Sequence, residues 1–126
     1  MREITSNEVL NKVAAAFRFV GDDQDFQEHA KDVEYRMIFI IEEPAASGVV
    51  TILNSRIYWS TDLPAEADLT VRWRHWKFLI SWSDSWVPLW WYRFLRRVRV
   101  TGSVNPVLQE CLYLFRNYLQ LMMKYE

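Results

Sequence analysis

A single cysteine, Cys111, stands in these 126 residues. No disulfide can therefore staple the chain internally, and no second thiol is near enough to suggest a metal site. Such cysteine usage goes with a reducing, cytoplasm-like compartment, which is the expectation here. Long apolar runs are missing too. The longest, Trp86 to Tyr92, falls far short of the roughly 20 residues a membrane-spanning helix needs. The opening segment MREITSNEVL lacks the apolar core of a signal peptide. Histidine is scarce: His29 lies beside Glu28 in an acidic stretch and His75 between basic residues, settings that suit capping or solvation better than catalysis. Ser81, Ser83, Ser85 and Asp84 lie near His75 in sequence, yet no nucleophile-elbow spacing supports a triad. The acidic run from Asp22 to Glu34 lacks the glycine and terminal glutamate spacing of a calcium loop. No enzyme signature, metal site or cofactor is expected.

What is present is the material of a folded domain. Hydrophobic residues make up 51% and charged residues 25%, which excludes disorder, and the length suits one domain over residues 1–126 with a sizeable core. Thr5 and Glu8 have capping-box spacing, and Val9, Leu10, Val13, Ala14, Phe17 and Val20 recur at helical period, so residues 6–20 read as an amphipathic helix ended by Gly21. The segment 21–31 reads as a loop or a short turn of helix. VEYRMIFII alternates apolar side chains at β period, a strand, and PAASG breaks the chain. VVTILNSRIYWST reads as a hairpin about Asn54–Ser55. ADLTVRW is a fourth strand, RHWKFLISW has helical spacing at Trp76, Leu79 and Ile80, and Ser83 to Trp91 is irregular or briefly helical. RVRVTG is a fifth strand, and Pro106 opens a helix over 106–123. The order predicts an α+β fold: about five strands, largely antiparallel, with helices on one face.

Charge and aromatics are unevenly spread. From Leu69 to Gln109 seven cations face the single acid Asp84, a net of +6, while the rest of the chain carries −7. Six of the seven tryptophans lie between Trp73 and Trp91. A core of this size packs best with aliphatics, and every buried indole needs an acceptor for its N–H. Such a surplus suits a ligand cavity or an interface. Arg97 and Arg99 alternate with Val98 and Val100 as the polar face of a strand. Tryptophan, tyrosine and arginine together also suit the boundary of an anionic membrane. Single-stranded nucleic acid favours the same residue types, but the overall acidity and the lack of a recognition motif argue against it.

Between Ala67 and Phe115 the residues resemble the sterol-carrier-protein-two family of lipid-binding domains. Ala67-Asp68-Leu69-Thr70 opens a strand, Phe78-Leu79 falls in the following helix, and Arg97-Val98-Arg99-Val100-Thr101-Gly102 forms a basic strand ending in glycine before a long helix. The acids that usually flank the helix phenylalanine are replaced by Arg74, His75, Trp76 and Lys77, and Ser103 stands where an aspartate commonly follows the glycine. The resemblance implies an apolar tunnel between sheet and helices that holds a fatty acid, acyl chain or sterol-like lipid without reacting with it. The expected lining is Trp76, Leu79, Trp82, Trp86, Leu89, Trp90, Phe94, Leu112, Phe115 and Leu119, with Arg93, Arg96 and Arg97 on an anionic head group. Trp82, Trp86 and Trp90 would form the roof, with Leu89 and Phe94. The alternative is a protein-interaction or homodimerisation module that uses the tryptophan surface. The chain ends KYE, without the Ser-Lys-Leu-like tripeptide of the family's peroxisomal members.

Overall fold

The computed structural model describes residues 4–85 and 87–125. Its elements run α1 (Ser6–Gly21), α2 (Gln24–His29), β1 (Glu34–Ile41), β2 (Ala46–Leu53), β3 (Arg56–Ser60), β4 (Leu69–Trp73), α3 (Trp76–Ser83), α4 (Leu89–Phe94), β5 (Val98–Gly102) and α5 (Pro106–Lys124). Each of the longer helices begins where a polar side chain accepts an otherwise unmet N–H. Thr5 Oγ1 accepts from the Glu8 amide at 3.2 Å, and Asn105 Oδ1 from the Leu108 amide at 2.9 Å just ahead of Pro106. Within 21–31, read as a loop or a short turn of helix, residues 24–29 take the helical form because Asp23 caps the Phe26 amide at 3.0 Å and Phe26 is buried.

The strands form one sheet in the order β3-β2-β1-β4-β5, with β1 and β4 parallel and the other three pairs antiparallel. In the β2–β3 hairpin Asn54 and Ser55 both have positive φ, 48° and 74°, as a type I′ turn requires. One boundary differs from the sequence reading: Ala46, Ser47 and Gly48 belong to β2 and pair with Ile41, Ile40 and Phe39. Glycine is needed at 48 because a Cβ there would run into the Trp59 ring.

Register puts Met37, Phe39, Ile41, Val50, Ile52, Val71, Trp73 and Val98 on one face of the sheet, all buried. The helices cover that face. Phe17 of α1 and Phe115 of α5 stack at 4.1 Å, and both meet Phe39 edge-on. The opposite face carries the exposed Arg36, Tyr58, Arg72 and Arg99 together with half-buried Ile38, Ile40, Thr51 and Thr70 and buried Val49. No helix among the described residues is long and apolar enough to cross a membrane.

Candidate functional site

The six clustered tryptophans do not act as one group. Trp73, Trp76 and Trp82 are buried at 1%, 6% and 4% exposure, whereas Trp90 and Trp91 are 64% and 42% exposed. Trp86 lies outside the described residues. The division follows from α4, a helix too short to bury a whole stripe. Tyr92 is its one buried residue: its ring meets Trp73 edge-on at 6.0 Å and its hydroxyl hydrogen-bonds with Ser81 Oγ at 3.0 Å. With Tyr92 turned inward, Trp90 and Phe94 face outward. Phe94 is 73% exposed. These two, expected to roof a cavity, therefore lie on the outside of α4. Leu89 is half-buried, and Leu79, Leu112, Phe115 and Leu119 sit with Trp76 and Trp82 in the closed core.

Beneath α4 the packing carries an unusual feature. Trp73 and Trp82 lie 5.4 Å apart between β4 and α3, and both indole N–H groups are buried without an acceptor among the described residues. Buried donors are nearly always paired, so this layer has unspent hydrogen-bonding capacity. Arg116 of α5, whose sequence position gave no hint of a role, ties the neighbouring segment down. Its Nε donates to the Trp82 carbonyl at 2.9 Å and its Nη2 to the Val87 carbonyl at 3.3 Å, with the guanidinium 5.1 Å over the Trp82 ring. Burial lowers its pKa from the usual arginine value.

The expected head-group arginines do come together. Arg93, Arg96 and Arg97 share an open groove of about 530 Å³ with Arg72, Arg74 and Arg99, against the single acid Glu42. Arg97 is held by cation–π contacts, 5.0 Å over Phe78 and 5.8 Å over Tyr92. Arg93 reaches the β5 edge, its Nη2 donating to the Val100 carbonyl at 3.5 Å. Arg72 and Arg99 are direct cross-strand partners, an arrangement that like charges disfavour. Glu42, 3.7 Å from Arg72, relieves only part of that repulsion. Six arginines and one glutamate line the groove, a surplus of positive charge of the kind that pairs with carboxylates and phosphates. The sequence reading missed Arg72, Arg74 and Arg99 as members because their convergence depends on the β4–β5 register.

A five-stranded mixed sheet of this order, with helices over one face, is the sterol-carrier-protein-two fold. The sterol carrier protein domain 2 of Helicoverpa armigera matches with a TM-score of 0.59 at 12% identity, over 89% of this chain and 87% of that one. The UbiJ-SCP2 ubiquinone synthesis protein matches at 0.57 and 10% identity, over 86% of this chain and 93% of that one. The sec-alkylsulfatase Pisa1 from Pseudomonas sp. matches at 0.58 and 18% identity over 70% of this chain, which spans only 14% of the sulfatase. No family model and no curated protein matches the sequence. At these identities the likeness is one of fold.

Proposed function

We propose that this domain binds an apolar small molecule with an anionic head, a fatty acid, an acyl chain or a sterol-like lipid, and carries it without chemical change. The observation that carries the reading is a groove of six arginines on the edge of a sterol-carrier-protein-two fold matched along nearly its whole length. The solved structures of that fold named for sterol carriage and ubiquinone synthesis support an apolar cargo.

The tail enters between the α3–α4 segment and the sheet, against Trp76, Leu79, Trp82, Leu89, Leu112, Phe115 and Leu119. These side chains are closed on one another, so the segment that Arg116 ties must move outward first, a motion suited to a loop-borne roof. Burial of hydrocarbon supplies about 0.8 kcal/mol per CH₂, and the indole N–H groups of Trp73 and Trp82, which have no acceptor among the described residues, give a polar atom of the ligand its donors. Trp90 and Phe94 have no part in this path.

The test compares a long-chain fatty acid with the alcohol of equal length, titrated into delipidated protein while tryptophan emission is followed. The acid is expected to bind saturably and more tightly than the alcohol. Arg93→Gln with Arg97→Gln should weaken the acid at least tenfold and leave the alcohol alone. Equal affinities in the parent protein would remove the head-group role, and no saturable change with either ligand would remove the lipid reading.

A further inference from the structure

Helix α4 presents to solvent an aromatic surface that the ligand path does not use. Trp90, Trp91, Phe94 and Leu95 are 64%, 42%, 73% and 38% exposed. The rings form one patch, Trp91 stacking on Phe94 at 5.7 Å and meeting Trp90 edge-on at 5.9 Å. Single exposed apolar residues are ordinary, whereas a contiguous patch of this kind marks an interaction surface. Its borders are cationic. From Ser85 to Gln109 the chain holds Arg93, Arg96, Arg97 and Arg99 and no acid, and Arg93 and Arg96 are exposed beside the rings.

We propose that this face docks the domain on an anionic lipid bilayer. Tryptophan and phenylalanine settle at the boundary between head groups and acyl chains, where an amphipathic ring keeps its apolar body in hydrocarbon. Arginines beside them meet lipid phosphates, which attract basic groups held near such a surface. Charge complementarity selects this occupant over a neutral membrane. The layout selects it over a small anion, which has no use for the exposed rings. Docking goes beyond the cargo reading and does not depend on it, since neither the rings nor their exposure requires a bound ligand.

The experiment is co-sedimentation of the full chain with vesicles of phosphatidylcholine, with and without phosphatidylserine, alongside sedimentation velocity of the protein alone. The parent protein is expected to bind the phosphatidylserine vesicles and not the neutral ones. Binding should collapse as salt rises toward 1 M and the screening length shrinks from about 8 Å to about 3 Å. Trp90→Ser with Phe94→Ser should reduce it at least tenfold at an unchanged melting temperature, and Arg93→Gln with Arg96→Gln should do so independently. Equal binding to both vesicle types, or parent-like binding by both variants, would overturn the proposal. So would an absence of vesicle binding together with a dimer that the serine variant dissociates, which would assign the face to a second copy of the chain. The fatty-acid titration, run without vesicles, reports on the cargo separately, so either reading can fail without the other.

Discussion

At Arg96 the backbone adopts φ +59°, a left-handed conformation that costs an L-residue roughly 1–2 kcal/mol. It closes α4 with the Arg97 amide donating to the Tyr92 carbonyl at 2.9 Å and the Arg96 amide to the Arg93 carbonyl at 3.0 Å, the ending that glycine usually supplies. A cation held at a strained position on the rim of the arginine groove suggests selection for the side chain. Arg96→Gly should therefore leave denaturant stability equal or raised, by up to about 1 kcal/mol after glycine's larger unfolded-state entropy is counted, while fatty-acid and vesicle binding both weaken. A marked loss of stability would mean that the side chain supports the fold instead. Cys111 belongs to the same scale. Complete burial, with Glu110 beside it, pushes its thiol up to about 12, and only the thiolate reacts. A thiol reagent at neutral pH should label the protein no faster than the protein unfolds.

Among the elements, the α3–α4 segment is the one that the proposed cargo path requires to move, and Arg116 contacts it through the Trp82 and Val87 carbonyls. Arg116→Met keeps the stem and removes both hydrogen bonds and the contact over Trp82. Charged hydrogen bonds are worth about 1.5–3 kcal/mol each when made. With two such bonds removed, the variant should lose at least about 1.5 kcal/mol of stability and show faster amide exchange over residues 83–95 than elsewhere, with faster fatty-acid release. Exchange that rises evenly over the whole chain would contradict a local tether. A second tie joins α2 to α5: His29 Nδ1 lies 2.9 Å from Glu110 Oε2, and this contact raises the imidazole's pKa. The charged pair is intact below the unfolded histidine value of about 6.5 and is lost as pH rises through the raised value. Stability should thus decline slightly over that window, and His29→Gln should remove the decline. The pair is exposed, so the effect is small.

The helices α1 and α5 and the strand β1 were legible because long stripes and clean alternation leave one choice of face. The split within the tryptophans was not. Trp90 and Phe94 have the same i, i+4 spacing that marks a buried stripe, and what turns them outward is the anchoring of Tyr92 by Ser81 and Trp73, contacts that form only once α3 and α4 are folded. Arg116 stayed hidden for a related reason: a cation within an apolar stripe reads as solvated unless the carbonyls it meets are known.

Over the whole molecule, charge separation acquires a geometry. The acidic run packs against both the β2–β3 hairpin and α5: the Ser55 amide donates to the Ala30 carbonyl at 3.1 Å, and the Tyr118 hydroxyl to Asp23 Oδ2 at 3.2 Å. The arginine groove and the aromatic face lie at the β5 edge. In the docking proposed above, the basic edge would turn toward an anionic surface before contact, which would set the groove, the aromatic patch and the proposed roof against the same boundary. The most direct test of the cargo reading is native mass spectrometry of the purified 126-residue chain, before and after addition of a long-chain fatty acid. The expected result is a single apolar adduct per chain, either co-purified or taken up on addition, and largely lost in the Arg93→Gln, Arg97→Gln variant. Bare protein that acquires no adduct with excess fatty acid, at any ratio, would contradict it.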